Sequence, residues 1–131
     1  MPFVRISLRS DTSAETRRHI STAIHEALVA SIGIPAGELF HLITALPAAD
    51  MIYNPTYDGV DYQNIVFIEI VLIRGRSEDK KLRLYRAIND NLVHNAGLRP
   101  EDVVIILTEN DRVDWSMAHG QAQLLHAPPR T

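Results

Sequence analysis

The chain contains no cysteine, so it has no disulfide framework, thiolate nucleophile or thiolate metal site, and nothing demands an oxidising compartment. No stretch approaches the roughly 20 apolar residues that a membrane-spanning helix needs, and the N-terminus lacks the basic patch and apolar core of a secretory signal. A soluble cytoplasmic protein without a membrane partner is the expectation. Excess positive charge is missing too: the formal net charge is -3, with no basic stripe to neutralise phosphates, which argues against a nucleic-acid partner. Any anion bound should be small. There is no glycine-rich phosphate loop and no GxSxG elbow. The histidines His19, His25, His41, His94, His119 and His126 form no HxxxH or HxH pair, so no metal site is expected.

What is present is an ordinary globular composition: 131 residues, 46% hydrophobic and 22% charged, enough for one domain over residues 1–131 with a real core. Val4, Ile6 and Leu8 alternate with Phe3, Arg5 and Ser7 as in a strand with one apolar face. Asp11, Thr12 and Ser13 offer caps to a helix bearing Ile20, Ile24, Ala27 and Leu28, and Gly33 and Pro35 end it. A second strand is expected over 39–46. Residues 47–64 read as a long aperiodic connection whose Tyr53, Tyr57 and Tyr62 pack on something. The apolar run 65–73 predicts a central strand; Ser77 then caps a second helix, Gly97 ends it, and a last strand is expected over 103–108.

Sliding the sequence by 64 residues lays Ser13 on Ser77, Ile24 on Ile88, Leu28 on Leu92, Gly33 on Gly97 and Thr44 on Thr108. Caps, helix core, helix stop and strand stay in one ungapped register, which implies a duplicated β-α-β unit with halves of about 2–46 and 65–109. The fold class expected is α/β (α+β): a four-stranded sheet with both helices on one face and a C-terminal extension. The other sheet face is left for further subunits. The last residues, 127–131, are expected to fray.

Several residues could carry chemistry. Removal of Met1, which a small second residue permits, leaves Pro2 as a free secondary amine with a largely fixed conformation, able to move a proton or add to a carbonyl. Arg74 and Arg76 stand where a buried strand ends and a capped helix begins, a place where two guanidinium groups can grip a carboxylate. A solvated turn in which they complement Glu78 and Asp79 accounts for the same residues. Glu38, in the turn after the first helix, could hold a proton near an amine; its repeat mate is Asp102, so an acidic side chain serving the turn in both halves is the alternative. Trp115, Met117 and Leu124 could line an apolar pocket or simply pack.

Pro2, the duplicated unit, Arg74-Gly75-Arg76-Ser77 and the run Glu109-Asn110-Asp111-Arg112-Val113-Asp114-Trp115-Ser116 together resemble the tautomerase superfamily and, within it, the malonate semialdehyde decarboxylases. The resemblance covers nearly the whole chain. It implies a cofactor-independent homotrimer of β-α-β-β-α-β subunits with Pro2 as the central catalytic group, Arg74 and Arg76 on the substrate carboxylate, and Trp115 in an apolar wall. Three positions depart from the pattern: Glu38 stands where those decarboxylases have an aspartate, and Met117 and Leu124 where the wall has phenylalanines. A glutamate keeps the charge but shifts the carboxylate by one methylene, and misplacement on the order of 1 Å can cost about a hundredfold in rate.

The leading expectation is therefore decarboxylation of a small 3-oxo acid by Pro2, Glu38, Arg74 and Arg76. Its enzymatic rival is keto-enol tautomerisation of a 2-oxo acid, with hydratase side activity a related alternative. The two main reactions differ in whether Pro2 works as a charged acid or a neutral base. Nearby arginines favour the base and a nearby carboxylate the acid. A non-catalytic trimeric binding protein is the third alternative.

Overall fold

The computed structural model describes residues 2–126; Met1 and the stretch 127–131, including the expected frayed end, lie outside the described residues. Eight regular elements follow in order: β1 (Phe3–Arg9), α1 (Ala14–Ile32), β2 (His41–Leu46), β3 (Thr56–Tyr57), β4 (Val60–Asp61), β5 (Val66–Ile73), α2 (Glu78–Ala96) and β6 (Val103–Asn110). β1 runs parallel to β2 and β5 parallel to β6, while β1 and β5 meet antiparallel, giving the sheet order β2-β1-β5-β6. This is a mixed four-stranded sheet carrying two helices, the architecture expected from the duplicated unit.

The repeat is visible at the level of single bonds. Ser13 and Ser77 both occupy the N-cap, their hydroxyls accepting from Thr16 N–H at 3.1 Å and Lys80 N–H at 3.2 Å. Gly33 and Gly97 both close the helices in the left-handed region, at φ 71° and 69°, a conformation that costs glycine least. Between them, Ile20, Ile24 and Leu28 of α1 and Leu84, Ile88 and Leu92 of α2 are fully buried. They meet Val4, Ile6 and Leu8 of β1 and Val66, Ile68, Ile70 and Leu72 of β5, the alternate residues of the two central strands. The opposite sheet face carries Phe3, Arg5 and Ser7 beside Phe67, Glu69 and Val71, with Leu42 and Ile106 exposed toward its two edges.

Three details differ from the sequence expectation. β2 starts at His41 rather than residue 39, because pairing with β1 begins at Val4 and His41; Leu39 and Phe40 precede it as exposed residues. β6 runs on past Thr108 to Asn110, since β5 offers partners as far as Ile73. The connection 47–64 is not structureless: it holds a 3-10 turn at Ala48–Asp50 and the small hairpin of β3 and β4. The hairpin turns on Asp58 and Gly59, both at positive φ (52° and 79°), as a two-residue Asp-Gly loop requires. Tyr53 packs edge-on against Tyr62 and Phe67, whereas Tyr57 is exposed.

Candidate active site

One end of the sheet collects the chain start, the approach to β2 and the ends of β5 and β6. Antiparallel pairing sets Phe3 opposite Val71, so Pro2, buried at the mouth of β1, falls at the level of Leu72 near the end of β5. Parallel pairing of Val4 with His41, reinforced by the Val4 N–H bond to Phe40 O at 3.0 Å, brings the segment 38–40 alongside the first residues of β1. Arg74 then leaves β5, its N–H bonded to Asn110 O at 2.7 Å.

Glu38 is only 7% exposed, so it is not a solvated turn residue. Burial of a carboxyl group is costly without partners, which makes its surroundings informative. The turn that carries it is closed by Glu38 N–H to Pro35 O at 2.9 Å, and the second half repeats this with Asp102 N–H to Arg99 O at 3.0 Å. Asp102 is the other buried acid, and its Oδ1 accepts from Gln63 N–H at 2.8 Å and from Arg99 Nη1 at 3.1 Å. Asp102 thus secures the approach to β5. The repeat relates that approach to the start of the chain, beside Glu38. His25 holds the Glu38 turn from the helix side, donating from Nε2 to Ala36 O at 2.9 Å.

The two arginines differ. Arg74 is 61% exposed and meets Asp111 Oδ1 through Nε at 3.3 Å. Arg76 is half-buried, with Nη1 donating to Ile73 O at 2.9 Å. Burial pulls its guanidinium below the usual arginine value and the negative charge of Glu109 partly offsets this. Glu109 also bonds Lys81 Nζ at 2.8 Å. Gly75 between the arginines sits at φ +135°, outside the range of L side chains, and lets the chain reverse direction between them.

The C-terminal extension closes the same end. Asp111 and Asp114 form a reciprocal capping box around a 3-10 turn, and Trp115, just beyond it, donates from its indole nitrogen to Asn110 Oδ1 at 2.6 Å. Met117 is half-buried, its N–H bonded to Gln123 Oε1 at 2.9 Å. Leu124 is 5% exposed, and its carbonyl accepts from Arg112 Nε at 2.9 Å; it anchors the extension. Sequence reasoning had not assigned roles to Asn110, Asp111 or Glu109. The Asp-x-x-Asp spacing of the capping box was the available local signal. Among the described residues no group of three or more histidine, aspartate or glutamate side chains gathers as a metal-ligand set, and no helix is long and apolar enough to cross a membrane.

A duplicated β-α-β chain whose first proline opens a central strand, with two arginines following the end of the strand paired to it, defines a recognisable class. Family models described as tautomerase enzyme match residues 38–118 and 2–59. A probable tautomerase of Bacillus subtilis (strain 168), YusQ, is 33% identical over 126 residues, covering 95% of this chain and 99% of its own length. A second from that organism, YrdN, is 26% identical, with 95% and 97% covered. Among solved structures, FG41 malonate semialdehyde decarboxylase inhibited by 3-bromopropiolate superposes with a TM-score of 0.88 at 37% identity, covering 95% of each chain. Another malonate semialdehyde decarboxylase gives 0.87 at 26% identity, with 95% and 96% covered. The symmetric trimer of a wild-type fused 4-OT, at 22% identity and a TM-score of 0.78, shares the fold over 95% of this chain and 99% of its own. The chain belongs to the tautomerase superfamily, is an enzyme of that superfamily, and lies close in structure to malonate semialdehyde decarboxylase.

Proposed function

We propose that this enzyme decarboxylates a small 3-oxo acid such as malonate semialdehyde, without a cofactor, using the Pro2 amine exposed by loss of Met1. The observation that supports this most is the strand register that sets Pro2 level with the end of β5, where Arg74 and Arg76 follow, with the buried Glu38 at the head of the neighbouring strand. Arg74 and Arg76 hold the substrate carboxylate. Among the described residues Asp111 engages Arg74 through Nε, and in this reading the terminal nitrogens take the substrate carboxylate.

The nearby Glu38 carboxylate favours the charged form of Pro2. The Pro2 ammonium donates to the 3-carbonyl oxygen; as the carbon-carbon bond to the carboxylate breaks, its electron pair moves into the carbonyl and the enolate is stabilised. A proton then returns to the carbon, giving carbon dioxide and the shortened carbonyl compound. Trp115 and Met117 form the apolar side of the site.

Keto-enol tautomerisation of a 2-oxo acid is the second reading, favoured by the similarity to YusQ, a probable tautomerase. There neutral Pro2 carries the proton between oxygen and carbon while the arginines keep their role. The deciding experiment incubates the protein, with Met1 removal verified by mass spectrometry, with malonate semialdehyde and with phenylenolpyruvate, following carbon dioxide release and ketonisation side by side. Dominant carbon dioxide release that Pro2→Ala abolishes is the expected outcome. Dominant ketonisation would select the tautomerase, and rates on both substrates unchanged by Pro2→Ala would remove the amine from either mechanism.

A further inference from the structure

The run Glu109-Asn110-Asp111-Arg112-Val113-Asp114-Trp115 has a physical logic that the proposed chemistry does not use. An indole has one donor and no acceptor, and the Trp115 donor is taken by Asn110 Oδ1 at 2.6 Å. The main chain of Asn110 accepts from Arg74 N–H at 2.7 Å. One residue at the last paired position of β6, opposite Ile73, therefore links the apolar wall to the arginine junction: its side chain fixes the ring and its backbone fixes the strand end. The 3-10 turn between them, closed by the Asp111 and Asp114 box, sets the reach from Asn110 to Trp115.

We propose that Asn110 is the positioning residue of the site, holding the Trp115 ring by its N–H so that Trp115 offers substrate an apolar ring and no hydrogen bond. This rests on the reading that Trp115 borders the substrate. Loss of the tether leaves the backbone link to Arg74 intact, so carboxylate binding and wall position separate: the ring gains freedom while the arginines stay.

Trp115 is the sole tryptophan of the chain, so fluorescence excited at wavelengths that tyrosine does not absorb reports the surroundings of this ring. Asn110→Ala is expected to shift the emission maximum and raise acrylamide quenching about twofold or more; Asn110→Asp, which keeps an acceptor in place, should stay close to wild type. Asn110→Leu, similar in volume but without the acceptor, serves if the alanine variant folds poorly. On the 3-oxo acid, loss of the acceptor should lower kcat/KM about tenfold, the scale of one hydrogen bond left unmade. In a Trp115→Phe background, where no N–H remains to be held, Asn110→Ala should cost nothing further. Unchanged emission and quenching in both Asn110→Ala and Asn110→Leu, or full additivity with Trp115→Phe, would overturn the proposal. If wild type proves inactive on the 3-oxo acid, the reaction assignment fails and the fluorescence arm alone decides whether Asn110 holds the ring.

Discussion

At the residue scale the group to test is Glu38, a carboxyl buried on a tight turn at the head of the strand next to Pro2. Glu38→Gln keeps the shape and removes the charge. If the carboxylate sustains the Pro2 ammonium, the substitution should lower decarboxylation by about a hundredfold, the lower range for positioned acid-base groups. The alkaline limb of the kcat/KM profile should also move to lower pH, because the ammonium loses its compensating charge. A rate and profile equal to wild type would remove Glu38 from the mechanism. His41 makes a separate prediction. Its Nδ1 shares a hydrogen bond with the Ser21 hydroxyl at 2.7 Å, and burial, with His25 nearby, lowers its pKa to about 4. The unfolded imidazole titrates near 6.5, so between about 6.5 and 4 the unfolded chain binds a proton that the folded chain refuses. Stability therefore falls as pH falls through that window and is unaffected by this group above it. Urea unfolding of wild type and His41→Gln at pH 7.5, 6 and 4.5 should show the variant losing less stability on acidification.

At the element scale the duplication allows one interaction to be tested twice. Ser13 and Ser77 cap the two helices with the same bond, and each change to alanine should cost about 1 kcal/mol in urea denaturation. Only Ser77 adjoins the Arg74–Arg76 junction, so Ser77→Ala alone should also raise KM for the acid; equal kinetic effects of the two would show that the junction does not depend on the α2 start. These caps and the glycine stops were legible in the sequence because they are local, and the ungapped register made them visible together. The burial of Glu38 was not legible, since it follows from β2 pairing with β1, a contact between residues far apart in the chain. The β3–β4 hairpin did carry a local signal, Asp58-Gly59, masked by the prolines and tyrosines around it. The link from Asn110 to Trp115 was hidden for another reason: a spacing of five residues across a 3-10 turn matches neither strand nor helix periodicity.

At the scale of the whole molecule, one sheet face is covered by two helices and the other lacks such a cover. Leu42 at one edge of that face and Ile106 toward the other are 53% and 47% exposed, with Phe3, Phe67 and Val71 between them on the central strands. Exposed apolar side chains on a sheet face without a helical cover make it a candidate contact surface. The homotrimer expected from the family resemblance gives that face an occupant, further copies of the same chain, because a closed ring of three covers every such face without leaving an edge. Introducing a charge there opposes burial directly, since an unpaired carboxylate in an apolar interface is strongly disfavoured. Leu42→Asp with Ile106→Glu should convert a trimer of about 44 kDa, three times the 14.7 kDa chain, to monomer in sedimentation equilibrium. Because those side chains lie outside the buried core between sheet and helices, the far-UV circular dichroism of the variant should be retained. A wild-type mass near that of one chain would overturn the trimer, and a double variant that stayed trimeric would place the contact elsewhere on the surface.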